Sequence, residues 1–212
     1  MITLTAKITL DDGKPIDINK QNLLSLEQNI IDRSDIVLPS WGIISNNAKI
    51  TFMDYKGDIK GYADKNMLVS GMNTNIILTD TLTKRELVFS NYTTSSWDYD
   101  NDNKQVVVNL TDEIIEWQDI ILDISRFNAQ TPYDVDGKYI YEYLYEKVPS
   151  KYKMKDFSSL DSATRNRLLS FKVSRLLFND NKLWSAWTTF CNAVQAYIFR
   201  NYKGETVFTC RN

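Results

Sequence analysis

The chain has 212 residues, 43% of them hydrophobic and 25% charged, with a net charge of −2 and no histidine. Such a composition belongs to a globular protein, excludes wholesale disorder, and supports one larger domain or two small ones without a metal or disulfide staple. The lack of histidine removes the commonest general base near neutral pH and the commonest transition-metal ligand, so Ser-His and Cys-His triads and His-ligated zinc or iron sites are excluded.

The first half reads as short strands. Ile2, Leu4, Ala6, Ile8 and Leu10 recur at the two-residue period of a half-buried strand, and Asp11-Asp12-Gly13-Lys14 is a turn signal directly after them, which predicts a hairpin. Neither a basic leader nor an unbroken apolar stretch opens the chain, and no run approaches the ~20 apolar residues of a membrane span. These features predict synthesis and folding in the cytoplasm, where Cys191 and Cys210 are read as reduced thiols.

Further β-branched or alternating runs predict strands at 23–31, 48–54, 57–62, 74–80, 85–92 and 104–111, separated by Pro39, Gly57, Gly71 and the Asn/Asp cluster at 98–103. Residues 113–117 read as a short helical turn capped by Thr111 or Asp112, followed by a strand at 119–125. The regular spacing predicts an antiparallel β-barrel or sandwich over residues 1–130.

After Gly137 the period changes. Ile140, Leu144 and Val148 predict a short helix stopped by Pro149. Ser158 to Asp161 offers caps for a second helix that shares Leu168, Leu169, Val173, Leu176 and Leu177 on one face, broken by Asn179-Asp180-Asn181. Leu183, Trp184, Trp187, Phe190, Cys191, Val194, Tyr197 and Ile198 predict a third helix, with Gly204 as the turn residue beyond it. Helical spacing makes Trp184, Trp187 and Phe190 core residues. The fold expected is therefore α+β: a β domain over 1–130, a small helical domain over 138–204, and a returning strand at 205–212. That strand ends with nothing to lead into, the pattern of the first part of a longer polypeptide.

No residue set selects an enzyme or a cofactor. Gly57 and Gly61 lack the Gly-Lys-Ser/Thr of a phosphate loop. Acids such as Asp54, Asp58, Asp80, Glu86, Asp112, Glu113, Glu116 and Asp119 supply the background for a carboxylate-based hydrolase, but no spacing picks a pair. Asp98, Asp100 and Asp102 alternate as in the opening of a calcium loop, yet Asn103 stands where the loop needs Gly and Asn109 where it needs a bidentate Glu. The run reads as an acidic turn, with a surface Ca²⁺ site as the alternative. Charge is divided along the chain: residues 1–137 carry 12 Lys/Arg against 21 Asp/Glu, a net −9, and residues 138–212 carry 13 against 6, a net +7. Tyr139, Tyr141, Tyr143 and Tyr145 precede Lys147, Lys151, Lys153 and Lys155, but alternate residues do not share a helix face, so they make no stacking platform for nucleic acid. An inter-subunit or inter-domain contact is the better reading, with Tyr141, Tyr145, Lys151, Lys153 and Lys155 as its candidates.

The segments 41–63, 95–120, 139–149 and 183–208, taken in that order, resemble the tail-tip or baseplate hub-type structural proteins of tailed bacteriophages. The resemblance implies a β-barrel with a small helical domain and a chain that returns to a strand. It further implies a homo-oligomer, often a trimer, that organises neighbouring tail proteins in the virion after assembly in the host cytoplasm, with edge strands extending sheets between subunits. No active-site residue carries over. Two rivals remain: a carbohydrate- or cell-surface-binding β module, for which Trp41, Tyr55, Tyr62, Tyr92, Trp97 and Tyr99 are the aromatics to inspect, and a cell-wall hydrolase.

Overall fold

The structure is a computed structural model that describes residues 2–10, 13–29, 41–65, 68–123, 125, 135–173, 178, 180–201 and 203–210. The chain divides into two compact units. The first comprises Met1–Ile31, Asn46–Glu113 and Tyr202–Gly204, the second Asp32–Ser45, Ile114–Asn201 and Glu205–Asn212. The division near residue 113 differs from a boundary at 130, and the strands at 42–44 and 206–210 belong with the helices.

The first unit is an antiparallel sheet of seven strands: β1 (Ile2–Thr9), β2 (Pro15–Ile18), β3 (Leu23–Asn29), β5 (Asn47–Met53), β6 (Asn73–Asp80), β7 (Glu86–Asp100) and β8 (Gln105–Asp112), in the order β2-β1-β6-β7-β8-β5-β3. Its end strands, β2 and β3, are joined by only Asn19–Asn22. Laid flat, seven strands place the outer two about 29 Å apart, whereas five Cα steps reach roughly 17 Å. The sheet must therefore curl until its edges approach at that end. β7 supplies the bend: its first part pairs with β6 and its second with β8, and the register shifts between Thr74 and Ile76 in one ladder and between Thr94 and Ser96 in the other. Such bulges sharpen twist and curvature. Among the described residues no ladder joins β2 to β3, so the sheet is curled without hydrogen-bonded closure.

Alternation along the strands fills the inside of the curl. Ile8, Ile18, Ile50, Phe52, Ile76, Val106, Val108 and Leu110 are buried in one cluster, which Ile59 joins from α1 (Asp58–Ala63). The strand expected at 57–62 is thus a helix. Asp54 explains it, accepting the Lys60 N–H at 3.0 Å and orienting the turn after a left-handed Gly57 (φ 76°), a device that the apolar pattern does not reveal. The expected strand at 85–92 continues through the acidic cluster to Asp100, and the turn falls at 101–104. Asp11, Asp12, Ile30, Ile31 and Pro39 lie outside the described residues.

The second unit contains α2 (Gly137–Tyr145), α3 (Ser162–Ser170) and α4 (Leu183–Val194), with a three-stranded sheet of β4 (Gly42–Ile44), β11 (Ala196–Arg200) and β12 (Thr206–Cys210), and a small ladder of β9 (Val135–Asp136) and β10 (Lys172–Val173). Residues 113–118 form a 3₁₀ turn. The helices are capped as their sequences dictate: Asp136 accepts from Tyr139 N at the start of α2, and Asp161 accepts from Thr164 N at 2.8 Å at the start of α3. Their core is aromatic. Tyr141 meets Trp187 and Phe208 edge-on at 5.5 and 5.0 Å, Trp187 lies 6.2 Å from Trp117, and Phe190 stacks on Phe208.

Four sequence expectations are corrected here. The third helix stops at Val194: Gln195 is left-handed (φ 60°), and Tyr197 and Ile198 lie in β11, where Ala196, Ile198 and Arg200 point inward. Pairing with β4 and β12, together with the β preference of aromatic and branched side chains, overrides a helical spacing that was coincidental. Gly204 then belongs to the β11–β12 turn rather than to a helix end. Val173 is in β10, and Leu168 is buried while Leu169 is exposed, so the second helix ends at Ser170; Leu176, Leu177 and Asn179 lie outside the described residues. The segment expected as a strand at 119–125 makes only an isolated bridge, Ile121 to Lys182, and belongs to this unit.

Candidate functional site

Residues directly opposite one another in an antiparallel ladder share a face. On the inner face, Ile8–Thr74–Tyr92 forms a fully buried row across β1, β6 and β7. The next row, Ala6–Ile76–Phe89, is mostly buried. Beyond it, Leu4–Leu78–Leu87 emerges into solvent, and Ile2, one pleat further along β1, is 71% exposed. The core face therefore runs past the core and leaves an apolar shelf at one end of the curl.

The β6–β7 turn follows at this end of the strands. Leu82 at its tip is 83% exposed, yet it is held firmly: Asp80 Oδ1 accepts the Leu82 N–H at 3.0 Å, and Asp80 Oδ2 accepts the Thr83 hydroxyl at 2.7 Å. Those bonds, the Thr83 hydroxyl first, lower the Asp80 pKa below the usual carboxylate range. Single exposed apolar residues are ordinary, and several near one another on paired strands are less so. The sequence showed the alternation of β1 but not this shelf, because exposure depends on how far the core reaches along the strand.

The tyrosine- and lysine-rich segment lies in the second unit. Tyr141 is fully buried, its ring is in the aromatic core and its hydroxyl donates to the Lys155 carbonyl at 2.6 Å, so it serves the unit's own interior and is not available to a partner. Burial drives its phenol well above the ordinary tyrosine range. Tyr145 stacks on Tyr141 one helical turn later and is half-buried. Lys151, Lys153 and Lys155 are all exposed, alternating with buried Tyr152 and Met154. Lys151 is paired with Glu116, which also accepts the Tyr152 hydroxyl at 2.8 Å. Lys153 and Lys155 carry the positive charge outward.

The acidic run is divided between a strand and a turn. Asp98 and Asp100 lie on β7, and Asp102 is in the following turn. Asp100 accepts from Asp102 N, Asn103 N and Asn103 Nδ2 within 3.1 Å, the last and shortest at 2.7 Å, and these bonds lower its pKa. Its carboxylate closes the hairpin. Among the described residues no group of three or more acidic, Cys or His side chains is placed to hold a metal. Of the acids with shifted pKa, Asp80, Asp100, Asp156 and Asp161 all move down under turn and cap hydrogen bonds, the opposite direction from the acid of a glycoside hydrolase.

Of the six aromatics to be inspected for ligand binding, Tyr92 is buried, Trp41 packs on Tyr197 within the second unit, and Trp97 donates to the Val69 carbonyl at 3.1 Å. Tyr99 is half-buried, and its phenol is pushed up by burial first and then by Asp54. Tyr55 and Tyr62 line one concavity, a cleft of about 730 Å³ beside α1 and the β2–β3 turn.

Fold and surface together define a mixed α+β protein with a curled antiparallel sheet, exposed apolar side chains at one end of it and no assembled catalytic set among the described residues. No protein-family model matches the sequence and no curated protein matches it. Among solved structures, the chain is similar over its whole length to the 43 kDa tail protein of prophage MuSo2 from Shewanella oneidensis, at 9% identity and a TM-score of 0.52. It is similar over 97% of its length to a tail protein from Neisseria meningitidis MC58, at 10% identity and a TM-score of 0.50. The chain spans about half of each, 56% and 50% respectively. At such identities the likeness is one of fold alone.

Proposed function

We propose that this chain is a structural component of a phage tail, a tip or baseplate hub or adaptor that forms a homo-oligomer, with a trimer as the expected count, and organises neighbouring tail proteins. It works as a non-enzymatic virion part assembled in the host cytoplasm. The observation that carries the reading is likeness to two tail proteins along essentially the entire chain, at identities where only architecture is shared. The curled sheet is read as an open barrel whose apolar end, with Ile2, Leu4, Leu78, Leu82 and Leu87, is covered by a second copy. Lys153 and Lys155 provide a separate basic contact for an acidic neighbour.

Light scattering of the purified chain tests the oligomer. A mass that is a multiple of 24.6 kDa is expected. Ile2→Asp with Leu82→Asp should reduce it to one copy without unfolding, because both side chains are already exposed. A single 24.6 kDa species at high concentration overturns the homo-oligomeric part of the reading. Labelled antibody on intact virions tests the location, and its absence from the tail overturns the rest.

A further inference from the structure

The cleft of the first unit is not used by the assembly reading, and its chemistry points to a ligand of its own. It lies between β2, the Asn19–Asn22 turn, the end of β5 and α1, and has a volume of about 730 Å³, within the range of small-molecule sites. Its floor includes the buried side chains of Ile16, Phe52 and Ile59. Tyr55 stands beside that floor with 62% of its surface exposed, although a large aromatic is costly to leave in water.

Polar groups surround it in a mixed pattern. Lys14, Lys56 and Lys65 line the same concavity as Asp17, Asp54 and Asp58, three charges against three. A phosphate or nucleic-acid site would show an excess of positive charge. The Asn19 and Asn22 side chains are oriented by the turn: Asn19 Oδ1 accepts from Gln21 N at 2.9 Å and Asn22 Oδ1 accepts from Asn19 N at 2.7 Å. That leaves the Asn19 amide N–H₂ group, together with the Asp17 and Asp58 carboxylates, as planar donors and acceptors on rigid backbone. An extended peptide would find little to pair with, since β2 has four residues and begins with a proline that has no N–H to give.

We propose that this cleft binds a neutral carbohydrate, with one sugar ring laid on Tyr55 and its vicinal hydroxyls shared between carboxylate and amide side chains. An aromatic face takes the C–H side of a pyranose, and paired planar oxygens and amides take its hydroxyl edge. The inference does not depend on the assembly reading, since a monomer carries the cleft equally well.

Saturation-transfer NMR on the full chain tests it, with a panel of neutral tetrasaccharides built from glucose, mannose, galactose and N-acetylglucosamine. Transfer to the ring C–H protons of at least one member is expected. Tyr55→Ala should weaken binding about tenfold, the loss of one ring contact, while Tyr55→Phe preserves it. Unchanged circular dichroism confirms that either variant is folded. No transfer from any member overturns the proposal, as does binding that survives Tyr55→Ala. Binding of extended peptides in a parallel panel, without sugar binding, assigns the cleft to a peptide and overturns it equally.

Discussion

Replacing Gly137 by alanine tests the packing of the second unit, because two effects of opposite sign meet at one atom. Gly137 is the first residue of α2, and its amide donates to the Phe171 carbonyl at 3.1 Å. Helix propensity and the unfolded-state entropy of glycine both favour alanine there, by about 0.5–1 kcal/mol. A Cβ at this position would, however, sit 2.8 Å from the backbone oxygen of Leu168 and 3.2 Å from its Cα. Both atoms are main chain of α3, so no rotamer change can relieve the contact, and α2 must move off α3. Overpacking of that kind costs about 1–3 kcal/mol. The balance is a net loss of about 1–2 kcal/mol, a fall in Tm of several degrees for a unit of this size. Urea unfolding followed by tryptophan fluorescence reads it, because Trp117 and Trp187 are both in this core. Gly61→Ala is the control: it is in α1 with nothing within 4 Å of the added methyl, and it should stabilise by about 0.5–1 kcal/mol. Equal or greater stability of Gly137→Ala would refute the helix contact as described.

Three further outcomes follow from particular bonds. Tyr141→Phe removes a buried hydroxyl and leaves the Lys155 carbonyl without it, at a cost of about 1 kcal/mol in the same urea experiment. Asp161→Ala loses the α3 cap, also about 1 kcal/mol. Since hydrogen bonds from the Thr164 backbone and hydroxyl hold the Asp161 pKa below 3.8, its contribution is complete above that pH and is lost as pH falls through the lower folded value, so wild type and variant should converge in strong acid. Burial raises both thiols, Cys210 to about 11 and Cys191 well above the ordinary range; native protein should resist thiol reagents at neutral pH and both cysteines should label on unfolding.

How much was legible follows from which features are local. β1 and β8 announced themselves by strict alternation, and α2 by fourfold spacing, because burial on one face leaves a periodic trace. α1 did not: six residues hold one buried side chain, and the bond from Asp54 that nucleates the turn crosses six positions. The end of α4 was hidden because Tyr197 and Ile198 satisfy both periods, and the deciding partners are the strands at 42–44 and 206–210. Tyr141 was misplaced for a related reason, since enrichment of tyrosine at interfaces says nothing about a ring that Trp187 and Phe208 enclose. The cleft was partly legible, in that Tyr55 and Tyr62 belonged to the aromatic set, although only the curl of the sheet brings Asn19 and Asp17 to them.

The edges of the sheets bear on how copies meet. Extension of a sheet from subunit to subunit needs a long, regular edge with free amides. β2 offers four residues and starts at Pro15, while β3 is interrupted by a register shift between Leu23 and Ser25. In the second unit, the Cys210 amide at the end of β12 is taken by the Thr164 hydroxyl at 3.4 Å, and Thr206 is tied to the Tyr152 carbonyl at 2.8 Å. Each of these edges is short, bulged or occupied, which is how proteins prevent strand addition. The apolar shelf has no such protection. Association should therefore proceed through the face carrying Leu82 and Leu87, burying apolar surface rather than extending hydrogen-bond ladders. Its signature would be a mass that survives Leu24→Lys on the β3 edge and collapses with Leu82→Asp; the reverse pattern in light scattering would return the assembly to edge pairing.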